Sequence, residues 1–426
     1  MSSIERNHCN ILDLFKEAKH RKHGFLRVSA PMVRYSKLEF RHLLRKHFVE
    51  LCFTPMIIAD SFINSDKARQ NEFCTSSDDN PVIAQFAAKN AMEFLNASQL
   101  IYPYVDGVDL NCGCPQSWAI SKGYGCGLLK RPEKIKDIIL NIRRVLREDF
   151  SVSVKMRLLY NEGRDTTVDF ARQLEKCGVS FITLHGRNMW QKSSEPLNVT
   201  AIQDVKQSLQ IPLVANGGVR TWEDACNLHE QTNADGIMSA RGLLANPALF
   251  NPYYKNQCTT PLTCVQDWLN IGAQTDSNLH FMCFHHHLTF MWSSNMKKKP
   301  RLEFNSFTRK QQIYDFFKEK YHIEPSVLNT KDQLKYQKCT YNHFTPEIAL
   351  KDLKAEEVIW NSNSNDILRI HARFCIVLEF WTGSSSSTIS YNSTFQLRSF
   401  SSLSFHIIVI IIFGNFKPTP PYVVEY

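Results

Sequence analysis

Residues 107–115 read GVDLNCGCP, a strand-length apolar run that ends in polar and sulfur-bearing side chains. A segment with apolar residues at helical spacing follows at residues 133–147. Strands that alternate with helices in this way favour a parallel sheet with helices packed outside it. The first 250 residues contain eight such units. The predicted strands span residues 26–32, 51–57, 81–87, 106–111, 151–158, 179–186, 212–217 and 235–240.

Eight units in succession predict an α/β fold, a (β/α)8 barrel over residues 24–250, rather than an open doubly wound sheet. An open dinucleotide-binding sheet would carry a GxGxxG motif directly after its first strand. Ala30-Pro31-Met32 stands there instead. We interpret the polar and basic residues 1–23 as an extension that precedes the barrel.

From residue 251 the pattern changes to helix-length segments without intervening strands, at residues 263–274, 279–292 and 304–321. We predict a helical domain over residues 251–328. Beyond it, residues 329–426 lack amphipathic periodicity, and we expect a disordered tail that activity does not require. Its marked segments are the low-complexity residues 383–387, the Ser-, Asn- and Thr-rich residues 390–404, the apolar residues 407–413 and the Pro-rich residues 417–421.

Composition sets broad limits. The 426 residues carry a formal net charge of +9, which is compatible with a polyanionic partner. The 13 cysteines do not have the spacing of a disulfide framework, and the start of the chain does not resemble a signal peptide. We therefore expect a soluble protein of the cytoplasm, or of the nucleus, that acts as a monomer. Residues 407–413 are far shorter than the roughly 20 residues of a membrane-spanning helix, so we expect no membrane partner.

Polar side chains cluster at the predicted C-terminal ends of the strands, where barrels of this type form their sites. They are Gln85, Asn111, Cys112, Cys114, Lys155, Arg157, His185 and Arg187. Lys155 lies on an otherwise apolar strand, and an unpaired buried charge is costly. It must therefore face the mouth of the barrel, find a partner or reach solvent.

The loops after the last two predicted strands carry glycines and an arginine. They read Asn216-Gly217-Gly218 and Ala240-Arg241-Gly242. Each loop alone could be a tight turn or the site of a surface ion pair. Together they indicate a phosphate-bearing cofactor, because glycines let backbone N–H groups approach a phosphate and arginine adds a charged donor.

Two clusters could suggest a metal. Cys112 and Cys114 have Cys126 as the nearest further sulfur, and a zinc or iron–sulfur site needs more ligands at suitable spacing. The three histidines at 285–287 would point in different directions on a helix. We expect no metal, and we interpret the histidines as core or RNA-contacting residues.

Eight short stretches, in order along the chain, resemble the tRNA-dihydrouridine synthases, and among them the eukaryotic class that modifies positions 20a and 20b. They are APM (30–32), TPM (54–56), QF (85–86), DLNCGCP (109–115), VKMR (154–157), HGR (185–187), ANGG (215–218) and SARG (239–242). The resemblance covers about residues 24–328 and includes the helical domain. The set is specific, although no single motif is.

The resemblance implies bound FMN, NADPH or NADH as the electron donor, and tRNA as the substrate. Pro31 and Met32 would pack near the flavin ring, and Gln85, Lys155 and His185 would bond to it. The residues that would hold its phosphate are Asn216, Gly217, Gly218, Ala240 and Arg241.

On the substrate side, the resemblance implies that Asn111 contacts the uracil, with Arg157 and Arg187 close by. Hydride would pass from reduced FMN to C6, and Cys114 would protonate C5. Cys112 departs from the family pattern and offers a second thiol that could confuse labelling experiments. The uridine would have to leave its stack, and phosphate contacts would supply much of the affinity. Candidate contacts are Lys130, Arg131, Arg143, Arg144, Arg147 and residues 297–301, although a solvated helix face is the default interpretation of any one of these runs.

Two other functions remain open at this stage. One is a flavoenzyme that acts on a free pyrimidine, as dihydroorotate and dihydropyrimidine dehydrogenases do. The other is a catalytically silent tRNA-binding barrel. The helical domain and the basic segments disfavour the first, and the retained Cys114, Lys155 and His185 disfavour the second.

Overall fold

The predicted barrel is confirmed in the computed structural model, which describes residues 8–159, 165–257, 259–274, 279–326 and 334–339. All strand pairings are parallel, in the order β1-β9-β8-β7-β6-β5-β4-β2, with β3 also paired to β4. The strands are β1 (Leu26–Ser29), β2 (Cys52–Phe53), β3 (Ile57–Ile58), β4 (Val82–Ala87), β5 (Gly107–Cys112), β6 (Ser151–Arg157), β7 (Phe181–His185), β8 (Leu213–Asn216) and β9 (Gly236–Ser239). A parallel bridge between Val28 and Leu51 closes the ring.

The second predicted strand, residues 51–57, is wrong as a single element. It consists of β2 and β3, separated by Thr54-Pro55-Met56. Proline has no N–H to donate to a sheet. At the break, the Thr54 hydroxyl accepts a hydrogen bond from the backbone N–H of Gln85 (3.1 Å) and so substitutes for a ladder bond.

Helices pack around the ring and at its ends. They are α1 (Ile11–Lys19), α2 (Leu38–Lys46), α3 (Ala59–Asn64), α4 (Asp66–Glu72), α5 (Ala91–Ile101), α6 (Ser117–Ser121), α7 (Cys126–Leu129), α8 (Pro132–Val145), α9 (Asp165–Lys176), α10 (Val199–Ser208), α11 (Trp222–Thr232) and α12 (Arg241–Ala245). Helix α8 shows why these segments are helical. It begins with Pro132, and it buries Ile135, Ile138, Ile139 and Ile142 at helical spacing.

The interior of the barrel is apolar at its base and polar at its mouth. Helix α1 caps the base with Ile11, Phe15 and Ala18, and the Phe15 ring lies 5.3 Å from that of Phe181 on β7. The N-terminal segment that we interpreted as an extension therefore contributes a helix to the barrel core. Strand residues nearer the mouth, such as Gln85, are polar and fully buried.

A helical region follows the barrel, as the loss of strands after residue 251 predicts. It comprises α13 (Leu262–Gly272), α14 (Phe281–Trp292), α15 (Lys298–Asn305) and α16 (Lys310–Tyr321). The predicted single segment 304–321 is wrong, because the Gln312 side chain accepts from the N–H groups of Thr308 and Arg309 and starts a new helix. Within the described residues, no helix is long and apolar enough to cross a membrane.

The helical region packs against the barrel through Trp268, His286 and His287. His287 is fully buried between the rings of Phe40 and Trp268, with centroids 4.3 Å and 4.6 Å away. His285 Nε2 lies 2.9 Å from the carbonyl oxygen of Phe304, and His286 Nδ1 lies 3.3 Å from the Tyr35 hydroxyl. Two of the three histidines are thus core residues.

Residues 334–339 return to the barrel. Gln337 and Thr75 exchange backbone hydrogen bonds of 2.7 Å and 2.9 Å, and Leu334 and Cys339 are buried. The Cys339 thiol donates to the carbonyl oxygen of Leu100 (3.2 Å). These six residues belong to the packed structure rather than to a disordered tail. The predictions for residues 340–426 lie outside the described residues.

We expect truncation to separate these two parts of the C-terminal segment. A chain that ends at Ser326 should lose roughly 2 kcal/mol in its free energy of unfolding relative to one that ends at Cys339, because Leu334 and Cys339 are no longer buried. Urea unfolding of the two chains measures the difference. Equal midpoints would show that residues 334–339 add nothing to stability.

Candidate active site

Strand register brings the predicted site residues together at the mouth of the barrel. Asn111 pairs with Lys155 across β5 and β6, and Arg157 pairs with His185 across β6 and β7. His185 in turn pairs with Asn216 on β8. The carboxyl ends of neighbouring parallel strands meet at one edge, so these side chains form a single rim.

Asp109 is the buried centre of a hydrogen-bond network below that rim. Its Oδ1 accepts from the Ser153 hydroxyl (2.6 Å), and its Oδ2 accepts from Gln85 Nε2 (2.8 Å). Burial raises the pKa of the Asp109 carboxyl to about 6. We did not assign Asp109 or Ser153 a role from the sequence. Their positions two residues before Asn111 and Lys155 place them on the same strand face, which is the signal that could have identified them.

The network continues to the loop that carries Cys114. Asn111 Nδ2 donates to Gln85 Oε1 (2.7 Å). Asn111 Oδ1 accepts from the backbone N–H groups of Gly113 (3.1 Å) and Cys114 (2.9 Å). Four side chains therefore connect the barrel interior to the backbone of the predicted acid.

The Cys114 loop is held tightly on its other side. The backbone N–H of Cys126 donates to the Cys114 carbonyl oxygen (3.0 Å). Gly125 has φ +56°, and a Cβ there would lie 2.6 Å from the same oxygen, so a side chain at position 125 would force the loop to move. Arg157 Nε also donates to the Gly113 carbonyl oxygen (2.9 Å).

The three nearby cysteines differ in exposure. Cys112 is fully buried on the face of β5 that packs against the helices, and burial raises its thiol pKa well above the usual value. Cys126 is also buried, and its pKa is raised to about 11. Cys114 is partly exposed. The expectation that Cys112 would confuse labelling is wrong, because strand alternation points it away from the mouth.

Positive side chains surround His185. Burial lowers the pKa of Lys155 to about 8, with a further contribution from Arg157. Burial and four neighbouring cations lower the pKa of His185 to about 2, so its imidazole is neutral. Arg187 Nη1 lies 3.4 Å from His185 Nε2. Since arginine only donates, Nε2 is the acceptor and Nδ1 carries the hydrogen.

Arg157 and Arg187 also connect loops. Arg157 Nη1 donates to the Asn188 carbonyl oxygen (3.0 Å), which ties the loop after β7 to the Cys114 loop. Arg187 Nε donates to the Glu195 carbonyl oxygen (2.8 Å). Both residues stand at the mouth, as the resemblance implies, and both shape the loops around it.

The last two loops leave open space at Gly218 and expose Arg241. Gly218 has φ +76°, and a Cβ built on it would meet nothing within 4 Å. A Cβ on Gly217 (φ +126°) would instead lie 2.5 Å from Leu197 and 2.9 Å from the His185 ring. Asn216 Nδ2 donates to the Met238 carbonyl oxygen (2.9 Å) and ties β8 to β9. The exposed Arg241, which follows Ala240, donates to the Ser193 hydroxyl (2.9 Å).

The first loop completes the rim. Pro31 and Met32 lie two and three residues after the end of β1, with Pro31 partly exposed and Met32 almost fully buried. The Met32 N–H donates to the Ser36 hydroxyl (2.9 Å), which fixes the turn. The turn leaves an apolar proline at this edge, where the resemblance implies contact with a flavin ring.

The family model described as "Dihydrouridine synthase (Dus)" matches residues 28–332. The chain belongs to the dihydrouridine synthase family. It is 43% identical over 300 residues to the mouse "tRNA-dihydrouridine(20a/20b) synthase [NAD(P)+]-like", which covers 70% of this chain and 90% of the mouse protein. The human protein of the same name is 42% identical, covering 70% and 92%. The Schizosaccharomyces pombe tRNA-dihydrouridine(20a/20b) synthase is 41% identical, covering 65% and 82%.

The basic residues predicted to contact RNA in this family member fall into two groups. Lys130 and Arg131 lie just before or at the start of α8, on the mouth side, and they are exposed, as are the lysines at 297–299. Arg143 is wrong as a candidate. Its guanidinium donates to the carbonyl oxygens of Gly178 (2.6 Å) and Phe150 (2.8 Å).

Helix direction explains this error. Helix α8 starts near the mouth and ends near the base, because it leads to the first residue of β6. Arg144 and Arg147 are exposed but lie at or beyond the end of that helix. They are therefore on the face of the barrel opposite the site.

Proposed function

We propose that this chain binds FMN and reduces uridine in tRNA to 5,6-dihydrouridine, with Cys114 as the general acid. The observation that carries the proposal is a partly exposed Cys114 thiol on a rigid loop, beside Asn111 and a rim of buried polar residues. The names of the relatives support tRNA as the substrate and a nicotinamide nucleotide as the electron donor.

The residues at the mouth fit FMN. The open space at Gly218 and the exposed Arg241 suit a phosphate, and the partly exposed Pro31, which precedes the buried Met32, suits the edge of a flavin ring. When bound, FMN would supply the hydride that reaches C6 of uracil. Lys155, with a pKa of about 8, is mostly cationic at neutral pH and would stabilise negative charge on the reduced ring.

The protein's own groups would direct the proton. Asn111 uses one amide hydrogen on Gln85 and its oxygen on the loop, so its second amide hydrogen is available to orient the uracil. Cys114 would give its thiol proton to C5. The neutral His185, whose Nδ1 carries a hydrogen, can donate a hydrogen bond without adding a charge.

Replacing Cys114 should separate the two halves of the reaction. Cys114→Ala should still bind FMN and accept electrons from NADPH, whereas reoxidation of the flavin by tRNA should fall by roughly 10²–10⁴. Stopped-flow absorbance at the flavin bands measures both steps. Cys112→Ala and Cys126→Ala are the controls and should cost far less. A crippled Cys112→Ala with a normal Cys114→Ala would overturn the assignment.

Replacing Gly218 should empty the flavin site. Gly218→Val fills the space proposed for the phosphate, so FMN should be lost on purification, and Arg241→Ala should weaken FMN binding less. Gly123→Val is a matched control, because Gly123 has φ +82° and its Cβ would meet only Lys89, at 3.9 Å. Both valines strain the backbone, but only the first should release flavin. Full flavin content in Gly218→Val would contradict the proposed phosphate site.

Charge reversal should weaken tRNA binding on one face only. Changing Lys297, Lys298 and Lys299 to Glu should lower affinity and reduce the salt slope by about 0.7–0.9 for each phosphate that the protein no longer neutralises. The control reverses Arg144, Arg147 and Lys176, which are exposed at the base end of the barrel. Filter binding at several salt concentrations measures both. Equal reductions in affinity for the two variants would place the RNA-binding surface elsewhere.

A further inference from the structure

The hydrogen bonds between Asp109 and the Cys114 loop all run in one direction. At the loop end, the backbone N–H groups of Gly113 and Cys114 can only donate, so the Asn111 atom that faces them is its oxygen. The Asn111 amide nitrogen then faces Gln85, and the atom of Gln85 that it meets is also the oxygen.

The other end requires the same direction. Gln85 meets Asp109 through its Nε2 at 2.8 Å, and an ionised carboxylate can only accept. A side-chain amide on its own can face either way, because its oxygen and nitrogen are nearly isosteric. Here two backbone donors at one end and a carboxylate at the other leave both amides a single orientation.

We propose that Asp109 is a positioning residue that sets the orientation of the Gln85 and Asn111 amides and thereby holds the backbone of Cys114. Asp109 is fully buried and reaches this loop through those two amides. This inference rests on the proposed function in one respect, the role of Cys114 as the acid. The positioning of the Cys114 loop by Asp109 does not depend on that role.

Reversing the donor and acceptor between positions 85 and 109 tests the proposal. Gln85→Glu places two carboxylates in contact and removes the donor, so their repulsion should displace the side chain at position 85 and deprive Asn111 of its acceptor. Asp109→Asn leaves a neutral amide that can face Gln85 either way, so only the backbone donors at the loop end still enforce the direction. In the double variant, the new amide at position 109 can donate to the new carboxylate at position 85, and that carboxylate still accepts from Asn111. The double variant therefore restores the orientation of Asn111.

The readout is the alkylation rate of Cys114 in the full-length chain, followed by mass spectrometry with iodoacetamide. Gln85→Glu should raise the rate about tenfold and Asp109→Asn severalfold, while the double variant should return to within about threefold of the wild type. Ser153→Ala is the control. This substitution removes the hydroxyl that donates to the other oxygen of Asp109, so it should lower the unfolding temperature. It does not alter the direction of the hydrogen bonds that lead to Cys114, so the alkylation rate of Cys114 should not change.

If the effects of the two single substitutions on the Cys114 alkylation rate simply add in the double variant, the proposal is overturned. Disrupted packing would give additive effects, whereas a restored direction of the hydrogen bonds would return the rate toward that of the wild type. If Gln85→Glu does not fold, a comparison of Asp109→Asn with Ser153→Ala tests the same proposal. Equal alkylation rates of Cys114 in these two variants would refute it.

Alkylation needs neither FMN nor tRNA. A wild-type chain that fails to reduce tRNA would therefore contradict the proposed function and leave this result standing. With active enzyme, Asp109→Asn should lower kcat for tRNA and Ser153→Ala should not.

Discussion

The barrel interior is closed at its base by α1, so polar side chains that point inward there are shielded from water. This constraint divides the interior into an apolar lower layer and a polar upper layer. In the upper layer, Asp109 accepts hydrogen bonds from Gln85 and Ser153 on the two neighbouring strands. Gln85 in turn accepts a hydrogen bond from Asn111 at the mouth. The site at the mouth is thus supported by a connected network rather than by isolated side chains.

The loops around the mouth are joined to each other as well as to the strands. Arg157 contacts the loops after β5 and β7, and Asn216 ties β8 to β9. Burial and the neighbouring cations lower the pKa of His185 and keep it neutral. The mouth is therefore cationic without a charged histidine, which suits a phosphate and an RNA backbone. The helical region that follows the barrel is anchored on α2 by Trp268.

Two errors of the sequence-based predictions share a cause. The break at Pro55 and the inward-facing guanidinium of Arg143 depend on partners that are distant in the chain, whereas the new helix after Thr308 begins with a local bond to Gln312. Residues 334–339 are polar enough to resemble a tail, but they pair with Thr75 on the barrel. Hydrophobic periodicity reports which face of a segment is buried, and it does not report what covers that face.

The sequence by itself determined the alternation of strands and helices, the rim of polar strand ends and the family resemblance, because these depend on local spacing and residue type. Only the tertiary structure decided which cysteine is accessible, which arginines face the site and how Asp109 reaches Cys114. Those facts depend on strand register and helix direction, which bring residues far apart in the chain into contact. A buried polar side chain gains its role from the partner it meets, and the folded barrel supplies that partner.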